Sequence, residues 1–156
     1  MKISPVVIID NREQNLWEFS NLPSERATLD TGDYSIRNLT HLVAVEHKSL
    51  PDLLGCIGAE RARFKRELQR LRAYRFRALV IEASYEDIQR GEWRSKVHPN
   101  AVAGSLAGWM AQYSLPIVLA GDREAAARFA ERYLYQCARL IASENSAVVA
   151  VEEQVA

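Results

Sequence analysis

The sequence predicts an α/β sandwich. Three observations carry that expectation. Two apolar runs, Val6-Val7-Ile8-Ile9 and Ala78-Leu79-Val80-Ile81, have the length and β-branched content of buried strands. Strand-like and helix-like segments alternate after residue 40, the order that layers helices on a sheet. No repeat or low-complexity stretch interrupts the pattern, and 156 residues suit one compact domain with a real core.

The elements follow in order. The first strand ends at Asp10, and residues 15–20 suggest a helical turn. Arg26 to Leu29 and Asp33 to Ile36 flank the turn signal Asp30-Thr31-Gly32, which reads as a hairpin. A strand over 41–47 runs into Ser49, a helix N-cap with Pro51 in the first turn. Gly55 and Gly58 weaken that helix before a second piece from Glu60 to Tyr74. Phe64, Leu68 and Leu71 recur at helical spacing, so that face is core. After the strand ending at Glu82, Ser84 and Asp87 form a capping-box pattern. Residues 90–99 read as a loop, and Asn100 as the cap of a helix through Tyr113. Pro116 to Ala120 is a further strand, and Asp122 caps a long helix to about Ser143. The tail, Ala147 to Val151, is open to an edge strand or a frayed end.

Composition narrows the class. A hydrophobic share of 48% with 26% charged residues fits a soluble globular protein, and no apolar run spans a bilayer. The N-terminus has no signal-peptide shape, and Cys56 and Cys137 are isolated in predicted helices, so they read as reduced packing residues. Together these point to a cytoplasmic protein. Net charge is zero, yet residues 58–77 hold 8 basic and 2 acidic side chains. A basic helix therefore follows an acidic segment, since residues 1–57 hold 5 basic and 8 acidic side chains.

The chemistry concentrates near strand ends. Asp10, with Arg12 and Glu13 beside it, ends the first strand; Asp33 opens another; Glu46 ends a third. Glu46 and Lys48 lie two apart on a strand and project from one face. A lone Glu-x-Lys pair is ordinarily a solvated ion pair, but that does not explain acids at three successive strand ends. Carboxylates with a lysine suit a divalent metal and a phosphate, the pattern of a metal-dependent nuclease. Asp52 has two open readings, a capping-box carboxylate after Ser49 or a site residue. Glu82 is equally open, to the site or to an edge. Arg63, Arg66 and Arg70 share one side of the basic helix, suited to a phosphate backbone. Trp93-Arg94-Ser95-Lys96 mixes an aromatic with two cations; Trp93 is either a platform for an unpaired base or a loop anchor. His41, His47 and His98 lack zinc spacing, and no Gly-rich phosphate loop occurs.

Gly32-Asp33 followed by Glu46-His47-Lys48-Ser49-Leu50-Pro51-Asp52, with Asp10-Asn11-Arg12-Glu13 upstream, resembles the nuclease domain of the XPF family of structure-specific DNA endonucleases. Arg63-Phe64, Leu71 and the Leu79-Val80-Ile81-Glu82 strand fall in that family's order. The resemblance implies a restriction-endonuclease-like three-layer sandwich, with a central mixed β-sheet flanked by helices. It also implies Mg²⁺- or Mn²⁺-dependent cleavage of branched or junction DNA, in repair, recombination or replication, by a homodimer. By carry-over, Asp33 and Glu46 bind metal and Asp10 supports metal or water. Lys48 orients the attacking water, Arg12 contacts the scissile phosphate and Asp52 steadies the site. Arg63, Arg66, Arg70, Arg94 and Lys96 are the candidate DNA contacts.

Two departures stand out. His47 replaces the family arginine and offers no bidentate phosphate contact. No helix-hairpin-helix pair is legible after residue 121, so residues 1–156 read as a single stand-alone nuclease domain whose targeting rests on itself, a dimer or a partner protein. A catalytically inactive DNA-binding scaffold and a Holliday-junction resolvase on the same fold are the alternatives. The first is disfavoured because Asp10, Asp33, Glu46, Lys48 and Asp52 are all present.

Overall fold

The structure is a computed structural model that describes residues 2–155, with side chains described through residue 150. Six strands form one sheet: β1 (Val7–Asp10), β2 (Ser24–Ala27), β3 (Tyr34–Ile36), β4 (Val43–Lys48), β5 (Phe76–Ile81) and β6 (Ile117–Leu119). Five helices accompany them: α1 (Leu50–Ile57), α2 (Arg61–Leu71), α3 (Tyr85–Arg90), α4 (Pro99–Tyr113) and α5 (Arg123–Val155). The spatial order is β2-β1-β3-β4-β5-β6. β1 pairs parallel to β2, the β1–β3 and β3–β4 pairs are antiparallel, and β4, β5 and β6 run parallel.

Alternation along the strands divides the core in two. Leu79 and Ile81 of β5 pack with Leu53, Phe64 and Trp109 from the α1, α2 and α4 side. Ala78 and Val80 face the other way, onto Ala130 and Leu134 of α5. Helices thus cover both faces, giving the expected restriction-endonuclease-like three-layer sandwich with a mixed sheet. No helix among the described residues is long and apolar enough to cross a membrane. Cys56 and Cys137 are free and buried.

Local capping chemistry places most helix starts as expected. Ser49 accepts the Asp52 amide, Ser84 and Asp87 form the full capping box, and Asp122 accepts the Ala125 amide at 2.8 Å. The start of α4 differs: the cap is His98, whose Nδ1 accepts the Asn100 amide at 3.0 Å, with Pro99 in the first turn. The break between α1 and α2 falls at Gly58, while Gly55 stays inside α1.

Three expectations are corrected, the first two by tertiary pairing. The hairpin does not form: β2 and β3 lie on opposite sides of β1, and residues 28–33 cross over its C-terminal end. That crossover is held by Asp10, whose Oδ1 accepts the Leu29 amide at 2.9 Å, and by Arg26, which donates to the carbonyls of Asp10, Asn11 and Glu13. Residues 15–20 make no helical turn. Their amides and side chains go to distant partners instead: the Trp17 amide to Tyr34 Oη, Trp17 Nε1 to Glu82, and the following Asn21 and Leu22 amides to the buried Glu131. Finally, 147–151 is neither strand nor frayed end, because α5 continues to Val155.

Candidate active site

β4 crosses the middle of the sheet, and its alternation sets the site. Glu46 and Lys48 project toward the α2 side; Val45 and His47 face α5. Opposite Val45, Gly32 turns the chain into β3 at φ +81°, a conformation that only glycine adopts without strain. A Cβ there would sit 3.2 Å from the Val45 carbonyl oxygen. This close passage leads Asp33 into position, where its Oδ2 accepts the His47 amide at 2.8 Å.

Asp10, Arg12, Glu13, Asp33, Glu46 and Lys48 line one cleft of about 230 Å³, closed on the α2 side by Arg63, Glu67 and Arg70. Lys48 Nζ lies 3.5 Å from Glu46 Oε1 and 5.2 Å from the centre of the Phe64 ring. The carboxyls are crowded. Burial, with repulsion from Glu13, lifts Asp33 to about 6, although the His47 amide opposes this. Burial and then the Asp33 charge push Glu46 well above its ordinary 4.5. Burial works against the Lys48 charge, but Glu46 and neighbouring acids outweigh it and hold the ammonium above 10.5. Asp10 differs from its neighbours. Burial would raise it, yet the Arg12 guanidinium (2.8 Å) and the Leu29 amide hold it below 3.8. Both Asp10 oxygens are therefore engaged.

On the opposite face, His47 is buried between two acids. Its Nδ1 lies 3.3 Å from Glu13 Oε2 and its Nε2 2.6 Å from Glu82 Oε1, with the Trp17 ring 4.1 Å away and tilted by 35°. The imidazole lies on the α5 side of β4 and holds Glu13 at the edge of the cleft. Glu82 belongs to this supporting cluster, joined to Trp17 Nε1 and Arg123.

The remaining candidates separate. Asp52 is exposed in the first turn of α1 and lines an adjoining hollow with Lys48 and Arg63. Arg66 is exposed outside the cleft. Arg94 and Lys96 are exposed on the loop before α4, some elements away from the carboxylates. Trp93 is the loop anchor, donating to the Val97 carbonyl at 2.8 Å and packing on the core.

The family profile of the ERCC4 domain matches residues 9–133, most of the chain. The chain belongs to the ERCC4 domain family. Among solved structures, this ERCC4 domain is similar to XPF from Aeropyrum pernix, at TM-score 0.67 and 17% identity over 85% of this chain and 61% of that one. It is equally similar to XPF from Aeropyrum pernix in complex with DNA, at TM-score 0.66 and 18% identity over 86% of this chain and 66% of that one. The chain thus spans less than two thirds of either. No curated protein sequence matches it significantly.

Two acids lining the cleft, Glu13 and Glu67, lie outside the candidate set. Glu13 was visible beside Arg12, but only the His47 contact shows what holds it. Glu67 lies four residues after Arg63 and three before Arg70, so helical spacing already placed it on their face. Among the described residues no three acidic, imidazole or thiol groups form a ready-made ligand set. The donors nonetheless suit a hard cation. Asp33 and Glu46 offer carboxylate oxygens crowded by mutual repulsion, and Mg²⁺ commonly takes one or two carboxylates, completing its shell with waters and phosphate oxygens. Asp10 fits less well as a ligand, because Arg12 and Leu29 already occupy its oxygens.

Proposed function

We propose that this ERCC4 domain hydrolyses phosphodiester bonds of DNA in the cleft between β3, β4 and α2, at branched or single-strand/double-strand junctions. The observation that carries this reading is the crowding of Asp33 and Glu46 beside Lys48, at one cleft with Arg12, Arg63 and Arg70 around it. The DNA complex of the similar Aeropyrum pernix protein supports DNA as the ligand.

Each residue has a role that follows from its placement. Asp33 and Glu46 would hold a divalent cation, Mg²⁺ or Mn²⁺, which supplies charge compensation at the phosphate and a lower pKa for nearby water. Lys48, kept charged by Glu46, aligns the attacking water and stabilises negative charge on the phosphate. Arg12 is braced by Asp10 and by a 2.7 Å hydrogen bond to the Leu29 carbonyl. Its guanidinium is thereby set at the cleft edge to grip a phosphate oxygen. Asp10 acts through Arg12, and Asp52 acts at the margin beside Lys48. Arg63 and Arg70 follow the backbone on the α2 side.

The test uses labelled 3′-flap, splayed-arm, four-way-junction and plain duplex DNA, with Mg²⁺, Mn²⁺ or EDTA, for the native chain and Asp33→Ala. Metal-dependent cutting of branched DNA, lost by at least about a hundredfold in the variant, is expected. Binding without cutting in every metal would replace the nuclease with a scaffold, and cutting confined to four-way junctions would mark a resolvase.

A further inference from the structure

Four of the acids lining the cleft divide by what already holds them. Asp33 accepts one amide, from His47, and Glu46 meets Lys48 at 3.5 Å. Asp10 and Glu13 instead have both oxygens engaged. Arg12 and the Leu29 amide hold Asp10. For Glu13, His47 Nδ1 stands 3.3 Å from Oε2 and the Asn15 amide donates to Oε1 at 3.1 Å. The ionisation of the groups follows the same division. Burial lifts Asp33 and Glu46, whereas for Glu13 the hydrogen bonds from His47 and Asn15 outweigh burial and keep the carboxyl below 4.5.

We propose that His47 is a positioning residue for the cation site: its ring holds Glu13 back as an acceptor for water carried by the cation, and leaves Asp33 and Glu46 as the two direct carboxylate ligands. The inference rests on the nuclease reading above and deepens it. A site with two direct carboxylates and a tethered third takes its cation hydrated, Mg²⁺ ahead of Ca²⁺. Mg²⁺ gives up its waters reluctantly, whereas Ca²⁺ gathers more protein oxygens and gains from each carboxylate free to reach it.

The ring can act as a tether because it is itself anchored. Its Nε2 stands 2.6 Å from Glu82 Oε1, and Glu82 is fixed in turn by Trp17 Nε1 at 2.9 Å and Arg123 at 3.6 Å. The Trp17 ring packs 4.1 Å away, and the His47 side chain is only 4% exposed. The tether therefore runs from the start of α5 through Glu82 and His47 to Glu13. The same residue fixes Asp33 through its amide, at 2.8 Å. One position thus sets both acids, Asp33 by backbone and Glu13 by side chain. A carboxylate oxygen that accepts one N–H keeps a lone pair for water. What Glu13 cannot do while tethered is follow a cation. Partners of this outer kind orient what the cation carries and change metal affinity by about 10–100-fold.

The test separates the two ends of the ring. His47→Gln places an amide donor near Nε2, toward Glu82, and frees Glu13; His47→Asn places one near Nδ1 and keeps Glu13 held. Both retain the backbone amide that Asp33 accepts. Mn²⁺ titration followed by electron paramagnetic resonance gives affinity, and spectra in isotopically labelled water count the waters that bound Mn²⁺ keeps. The native chain and His47→Asn should keep about four waters of an octahedral shell, and His47→Gln about three. The Ca²⁺-to-Mg²⁺ affinity ratio of His47→Gln, read by displacement of Mn²⁺, should rise about tenfold. Glu13→Gln, which leaves the ring in place, should bind Mn²⁺ about tenfold more weakly with the water count unchanged, and it decides if His47→Gln does not fold. A purely structural His47 would lower the stability of both ring variants and leave water count and ion ratio unmoved. That result, or a water count that rises by about one in Glu13→Gln, overturns the assignment and leaves the nuclease reading standing, since the native chain still binds the cation. A native chain that binds no Mn²⁺ and cuts no DNA overturns both.

Discussion

Replacing Asp33 with asparagine measures what the crowded cleft costs the fold. In the folded chain the Asp33 carboxyl is raised from an ordinary 3.8 to about 6, first by burial and then by Glu13. Below the lower value both folded and unfolded states are protonated, and the group contributes nothing. Between the two values the unfolded chain has released its proton and the folded one has not, so stability falls as pH rises. Above the folded value the loss is constant, roughly 3 kcal/mol from the separation of the two values. Asn keeps the shape and can still accept the His47 amide, at 2.8 Å in the native chain. It removes only the charge.

Asp33→Asn should therefore be more stable than the native chain by about 1–3 kcal/mol near neutral pH, and indistinguishable from it near the ordinary aspartate value. Urea unfolding in EDTA across the acid-to-neutral range, read as a midpoint shift at constant m, gives this difference directly. Saturating Mg²⁺ should narrow the gap, because a cation that binds only the native chain stabilises it by mass action. A variant no more stable than the native chain at neutral pH, with m unchanged, would refute the argument that burial, and then the Glu13 charge, oppose ionisation of this carboxyl in the folded chain.

Two further outcomes follow from the same geometry. His47→Leu removes the imidazole from between Glu13 and Glu82, whose side chains are only 11% and 12% exposed, and should cost about 2–4 kcal/mol in urea unfolding; a loss under about 0.5 kcal/mol would show that the two acids do not depend on it. Phe129 and Leu140 remain 43% and 45% exposed on α5, and we expect them to close a homodimer; size-exclusion with light scattering at micromolar concentration should give a dimer that Phe129→Glu converts to monomer, and a native monomer would remove this expectation.

How much was legible in the chain depended on the range of the interaction. β1, β4 and β5 were readable because fully buried strands announce themselves as apolar runs. The caps at Ser49, Ser84 and Asp122 were readable because a side chain and an amide three residues on settle them. The supposed hairpin failed because Asp30-Thr31-Gly32 specifies a change of direction, not a partner; β1, far upstream, takes β2 on one side and β3 on the other. Residues 15–20 failed similarly, since Tyr34, Glu82 and Glu131 claim the polar groups of that stretch and its continuation from afar. In the site, the i, i+2 relation of Glu46 and Lys48 held because strand alternation is local. The same rule put His47 on the opposite face, a deduction available from sequence alone. Glu67 needed α2 to be docked over the sheet before its carboxylate became part of the cleft.

That one alternation organises the whole centre. Glu46 and Lys48 face the cleft, while the next residue ties β4 to the other layer through its ring and fixes Asp33 through its amide. A slip of one residue in β4 would send His47 into the cleft and bury Glu46 and Lys48 against α5. Val43, Ala44 and Val45, none of them measurably exposed, prevent that slip by filling both cores at once. Two like-charged carboxylates can therefore be held together only because the strand that presents one of them is clamped from both sides. The precision of the site is a property of the sandwich, and weakening either core should loosen Asp33 and Glu46 before it unfolds the sheet.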